Sequence, residues 1–207
     1  MKVDDNVFPK LIVAEGAAPA TPSSGDQTLY LDTADHHLKR KNSAGSVVDI
    51  EAGASGGLYS AYVLVRDEKS QNTNGGTSAT GGWQTRDLNT LAADTGSHAS
   101  LAANQITLDA GTYRCEISCP AFAATAHQAR LRDTTGGTTL VEGQIAYAYA
   151  VNLGSTAARV AGRFTLAVAS VLEVQHQVQA GNATNGWGVA CNFGTEVYTV
   201  AEFWKES

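Results

Sequence analysis

Apolar and polar residues alternate with a period of two along most of this chain. In Tyr113-Arg114-Cys115-Glu116-Ile117-Ser118-Cys119 the odd positions are apolar and the even ones polar. Val160, Gly162, Phe164, Leu166 and Val168 form one face of a second run. In a third, Leu172, Val174, His176 and Val178 face away from Glu173, Gln175 and Gln177. Ile145, Tyr147, Tyr149 and Val151 alternate with Ala146, Ala148 and Ala150, and a last strand is predicted from Val197 to Trp204. Successive side chains of a strand point to opposite faces, so this period predicts half-buried strands. Turn signals separate the runs, at Asp109-Ala110-Gly111, Thr135-Gly136-Gly137, Asn152-Leu153-Gly154 and Asn192-Phe193-Gly194. Residues 89–103 come nearest to a helical period, but Gly96, Ser97 and the threonines break it. About eight strands at this spacing predict an all-β antiparallel sandwich or jelly roll over residues 58–207.

The region before it reads differently. Residues 1–26 have no periodicity and carry Pro9, Pro19 and Pro22, which predicts an extended, irregular arm. Residues 27–51 predict a small β-meander: Thr28 to Asp32, Leu38 to Lys41 and Val47 to Ile50, with a turn at Asn42-Ser43-Ala44-Gly45. Three short strands are too few to stand alone, so the meander is expected to pack on something. Residues 52–57, Ala-Gly-Ala-Ser-Gly-Gly, read as a linker.

Charge changes this picture. Only 16% of the 207 residues are charged, and a surface so poor in charge is expected to be covered partly by a partner chain. The net charge of -6 argues against a nucleic-acid surface. The single basic cluster, Lys39-Arg40-Lys41, has Asp32, Asp35 and Asp49 nearby and reads as a solvated hairpin edge. No apolar run is long enough to cross a membrane, so no membrane insertion is expected. Met1-Lys2 leads into Asp4 and Asp5 rather than an apolar stretch, which predicts synthesis in a cytoplasm without a signal peptide. Cys115 and Cys119 would lie about 13 Å apart on one strand face, too far for a disulfide, and the cysteines are expected to be buried thiols.

No constellation for catalysis stands out. The chain has no Gly-x-Ser-x-Gly elbow, no papain-like cysteine signature and no phosphate-binding loop, so neither an enzyme nor a cofactor is expected. Glu116, Glu142 and Glu173 are candidate glycan-cleaving carboxylates by type alone. Asp35-His36-His37 suggests a metal, but adjacent histidines on a strand point apart, so a hairpin turn is expected instead. His176 shares its face with Leu172, Val174 and Val178 and is expected in the core or on an oligomer axis, as is Tyr198. Trp187 and Asn185, among Gly and Asn, are candidate contacts for a sugar or a protein, as is Trp83 after the glycine-rich stretch 75–82.

One series of segments is familiar. Trp83-Gln84-Thr85-Arg86-Asp87-Leu88-Asn89-Thr90 is followed by Asn104 to Tyr113, then Gly162-Arg163-Phe164-Thr165-Leu166, Leu172-Glu173-Val174-Gln175-His176 and Glu196-Val197-Tyr198-Thr199. This order resembles a carboxy-terminal domain of tailed-phage head-fibre-like and tail-fibre-like virion proteins, itself similar to a tumour-necrosis-factor-type trimeric jelly roll. Pro19 to Gly25, Leu29-Tyr30, Leu38 and Ala44-Gly45 resemble a short attachment module of phage structural proteins. The resemblance implies a virion protein: a homotrimer on the phage head, as a decoration or head fibre, bound to the major capsid protein or to a tail or neck component. Phe8, Pro9, Leu11, Leu29 and Tyr30 are then expected to make the attachment. The alternative it leaves open is a tail-fibre or tail-tip knob that recognises a host surface glycan.

Overall fold

The computed structural model describes residues 14–50, 57–149 and 154–207. Phe8, Pro9, Leu11 and Val151 lie outside them, as does most of the expected linker. The chain divides into two compact units, residues 1–57 and 58–207.

In the first unit, β1 (Glu15–Gly16), β2 (Gln27–Asp32), β3 (Leu38–Asn42) and β4 (Val47–Asp49) form a sheet in the order β1-β2-β3-β4. Part of the expected arm is thus a strand, with β1 parallel to β2. The Asn42 side chain accepts from the backbone N–H groups of Ala44 and Ser46, and Gly45 takes φ +83° to close the turn. The basic cluster is not on an edge, because β3 is hydrogen-bonded on both sides. Lys39 is held by Asp32 and Asp35, and Lys41 donates to the Pro19 carbonyl. Cross-strand register puts Leu29, Leu31, Leu38, Arg40, Val48 and Ile50 on one face. Leu29 (60% exposed), Val48 and Ile50 stay exposed there, and Tyr30 alone is buried among the hydrophobic residues described in this unit.

The second unit holds β5 (Tyr59–Lys69), β6 (Gln84–Thr85), β7 (Thr90–Asp94), β8 (Ala99–Ala102), β9 (Gln105–Leu108), β10 (Gly111–Phe122), β11 (Thr125–Asp133), β12 (Thr138–Ala148), β13 (Ser155–Leu166), β14 (Ser170–Val178) and β15 (Glu196–Glu206). The stretch 89–103 is β7 and β8, two strands joined at Gly96-Ser97. One sheet runs β13-β10-β15-β5-β7 and the other β12-β11-β14-β9-β8. β11 pairs with β12, β10 with β13, β9 with β14 and β5 with β15, all antiparallel. Successive pairs fall alternately in the two sheets, which is one long antiparallel ribbon rolled into a jelly roll.

The inward face follows the alternation. Tyr113, Cys115, Ile117 and Cys119 meet Leu172, Val174, Val160, Phe164 and Phe203 in one core cluster. Tyr113 and Phe164 stack at 5.6 Å. Val168 does not belong to it; it sits in the β13–β14 turn, 62% exposed. In β12 the alanine face is the buried one, and Ile145, Tyr147 and Tyr149 point outward. Cys191 also departs from expectation, since it lies in an exposed loop while Cys115 and Cys119 are buried.

Candidate functional site

Register fixes two ends of the sandwich. Lys69, Phe122, Thr125, Ala148, Ser155, Val178 and Glu196 mark one of them; Leu58, where the chain arrives, lies at the other. The first end gathers the longest irregular segments of this unit, residues 70–83 and 179–195. They are tied together by backbone hydrogen bonds, Gly75 to Gly188, Ser78 to Asn182, Trp187 to Gly76 and Gly81 to Val178, at 2.9–3.1 Å. Gly75 is required at this seam, because a Cβ there would lie 2.7 Å from the Trp187 carbonyl carbon.

Beneath these loops lies a buried polar network. The Arg86 guanidinium, fully buried, donates to Thr199 Oγ1 at 2.8 Å, to the Pro120 carbonyl at 3.1 Å and to the Trp187 carbonyl at 3.4 Å. It lies 4.4 Å over the Trp187 ring, whose other neighbour is His176, stacked at 4.9 Å. His176 Nε2 and His127 Nδ1 share a hydrogen bond at 2.9 Å, and His127 Nε2 pairs with Thr156 Oγ1 at 2.8 Å. Burial, reinforced by the Arg86 charge, pushes His127 down to about 4 and lowers His176 as well. Both rings are neutral near pH 7, and among the described residues His176 Nδ1 has no hydrogen-bond partner.

The sequence candidates therefore separate. Trp187 is only 5% exposed, so its ring is a core group and is not offered to a ligand. Its glycine-rich context marked a loop but not the direction of the ring. Asn185 is half-buried in the same loop. Trp83 is half-buried beneath Arg130, 4.0 Å over its ring. His176 is in the core of a single chain, and Tyr198 is buried with its hydroxyl donating to the Thr73 carbonyl at 2.6 Å. Glu116 is paired with Arg114, and Glu173 accepts from Thr85, Gln105 and Gln175. Ligand atoms of Asp35, His37 and Asp49 lie within 4.8 Å of one another, a grouping the sequence hid because Asp49 comes from the facing strand. Asp35 there already holds Lys39 at 2.6 Å.

One surface feature was missed. On the outward face of the second sheet, Ala126 is flanked across the strands by Tyr147, and Gln128 by Ile145 and Gln177. The small Ala126 leaves an open groove of about 370 Å³, lined also by Gln179, Val178, Thr80 and Gly81. Gln128 Nε2 donates to the Gly143 carbonyl at 2.8 Å, and Gln179 Oε1 accepts from Thr125 Oγ1 at 3.2 Å. A signal was present in the sequence. Residues 70–85, 117–129, 143–158 and 174–195 contain no Asp, Glu, Lys or Arg, and all four runs converge on this end.

No family model matches the chain, and no curated protein matches it. Among solved structures it is similar to murine APRIL at pH 5.0, with a TM-score of 0.47 and 13% identity over 70% of this chain and 98% of that one. It is similar to the globular domain of a zebrafish complement 1qA protein, with a TM-score of 0.45 and 14% identity over 71% and 96%. It is also similar to the PRD1 vertex protein, with a TM-score of 0.44 and 12% identity over 73% and 100%.

Proposed function

We propose that this chain is a structural protein of a tailed-phage virion, a homotrimeric jelly-roll knob attached through its amino-terminal unit as a head decoration or head fibre. It binds and does not catalyse. The observation that carries the reading is the small amino-terminal sheet, which among its described residues buries Tyr30 as its one hydrophobic group and leaves Leu29, Val48 and Ile50 exposed around Arg40. Such a face gains its stability from a larger surface. Trimerisation is supported by the outward face of the first sheet of the jelly roll, where Tyr62, Leu64, Val200 and Trp204 stay half-buried. The same face carries Arg66, Arg114, Glu116 and Arg159, and some of its charges are paired within the chain: Glu202 accepts from the Tyr62 hydroxyl at 2.6 Å and Arg163 holds Glu206 at 2.6 Å. Aromatic and apolar groups set among charges of both signs are a pattern that oligomer contacts bury.

The test uses full-length protein. Leu64→Glu with Trp204→Glu should convert a trimer to a monomer on sizing. Leu29→Asp with Val48→Asp should keep the trimer but abolish incorporation into particles, and antibody labelling of wild-type particles should decorate heads. Labelling confined to tails would move the protein to the fibre. Normal incorporation of the Leu29/Val48 variant would overturn the attachment reading.

A further inference from the structure

We propose that the groove over Ala126 is a binding site for a neutral saccharide. The inference concerns the jelly roll alone and stands whether the protein sits on a head, on a tail or on neither.

The composition of the groove selects the ligand class. Its polar side chains are Gln128, Gln177, Gln179 and Thr80, and His127, at its floor, is neutral. An amide carries both a donor and an acceptor, as a sugar hydroxyl does, so a set of amides matches a set of hydroxyls in either sense. A carboxylated or sulfated ligand would call for Arg or Lys, and none lies in the four segments that build this end. Beside Gln128, Ile145 supplies an apolar wall, 74% exposed, and Ala126 an apolar floor. An exposed aliphatic side chain next to amides can cover the C–H face of a pyranose while its hydroxyls are hydrogen-bonded.

The shape favours a small unit over a protein partner. The groove is concave, and its volume of about 370 Å³ lies in the range of small-ligand sites. Two of its amides are already held, Gln128 by Gly143 and Gln179 by Thr125, so less rotamer freedom is lost when a ligand arrives. Thr80 and Gly81 roof one end, fixed by the hydrogen bond from Gly81 to the Val178 carbonyl at 3.0 Å.

The test is a printed panel of neutral oligosaccharides (glucose, galactose, mannose and N-acetylglucosamine types) beside sialylated and sulfated sets. It is probed with labelled full-length protein in 50 mM and 500 mM NaCl. The expected result is binding to at least one neutral set that changes less than about twofold with salt, since no charge pair is screened. Gln177→Ala with Gln179→Ala should weaken it at least tenfold, and Ser100→Ala, exposed on β8 and outside the groove, should leave it unchanged. Unaltered thermal melts of the variants will show that the fold is intact. Three results overturn the proposal: no neutral set bound, binding confined to the acidic sets, or binding kept by the double variant.

Discussion

The paired histidines under the groove make stability depend on acid in a way that can be calculated. In the unfolded chain both rings take up a proton near the ordinary histidine value of 6.5. In the folded chain His127 holds off protonation until about 4, because burial and the Arg86 charge penalise the cation. The folded state thus binds fewer protons across this window, and stability falls as pH falls. The His127 share is fully present above about 6.5, declines between 6.5 and 4, and is gone below. At 1.36 kcal/mol per unit, the displacement of His127 alone corresponds to about 3 kcal/mol. His176, displaced in the same direction by burial first and then by Arg86 and His127, adds to it. Urea melts at fixed protein concentration between pH 7.5 and 5 measure the slope, each histidine contributing at most about 1.4 kcal/mol per pH unit. Carboxylates held low in the fold, such as Glu173 and Glu196, lose their contribution at still lower pH, and Asp67, which burial holds high, acts with the opposite sign, so the double variant is what assigns the slope to the histidines. His127→Gln with His176→Gln should be less stable at pH 7.5 and flat from there to pH 5. A wild-type midpoint that does not move, or a slope that survives in the double variant, would refute the argument.

Three further outcomes follow from packing. Gly143 lies where β12 meets β13, and a Cβ there would sit 2.6 Å from the carbonyl oxygens of both Ala129 and Arg159, so Gly143→Ala should cost about 1–3 kcal/mol by chemical denaturation. Arg86→Met leaves the Pro120 carbonyl and Thr199 hydroxyl without their donor and removes a second positive charge near the buried Asp67, which keeps Lys69 at 3.0 Å. It should cost about 3–5 kcal/mol, and a loss under about 1 would show that the network is dispensable. Burial lifts the Cys115 and Cys119 thiols to about 11, while Cys191 is exposed, so a thiol reagent at pH 8 should label one cysteine per native chain and three after unfolding.

The alternation of large residues made the jelly roll readable, and it failed where small residues carry the pattern. Tyr113 to Cys119 and Leu172 to Val178 announce their inward faces because each alternates bulky apolar groups with polar ones. Along Ala126-His127-Gln128-Ala129 the same alternation is present, but alanine marks neither face, so His127 was not recognised as the partner of His176. In β12 the period was visible and its sense was not. Gly143 brings that strand against β13, which leaves room inside only for Ala146 and Ala148 and turns the tyrosines out. The groove takes residues from three strands and a loop, which no local pattern joins; only the four charge-free runs pointed to it.

Those runs also explain how an end built largely of loops can be rigid. Residues 70–83 and 179–195 contribute little regular structure, and loops of that length usually move. Here Arg86 gathers the carbonyls of Pro120 and Trp187 and the hydroxyl of Thr199 from three separate segments, and a buried cation is costly to leave unpaired. Opening any one of those segments removes an acceptor from that charge, so the segments hold one another closed. His176 stacks on Trp187 from the opposite side and pins β14 to β11 through His127. On the same two strands the alternate residues, Gln177 and Gln128, face the groove. Arg86 and both histidines are therefore kept inside, where they fix the backbone, and the groove they support is left neutral. A neutral surface held in place beforehand can bind an uncharged ligand without first paying to order itself.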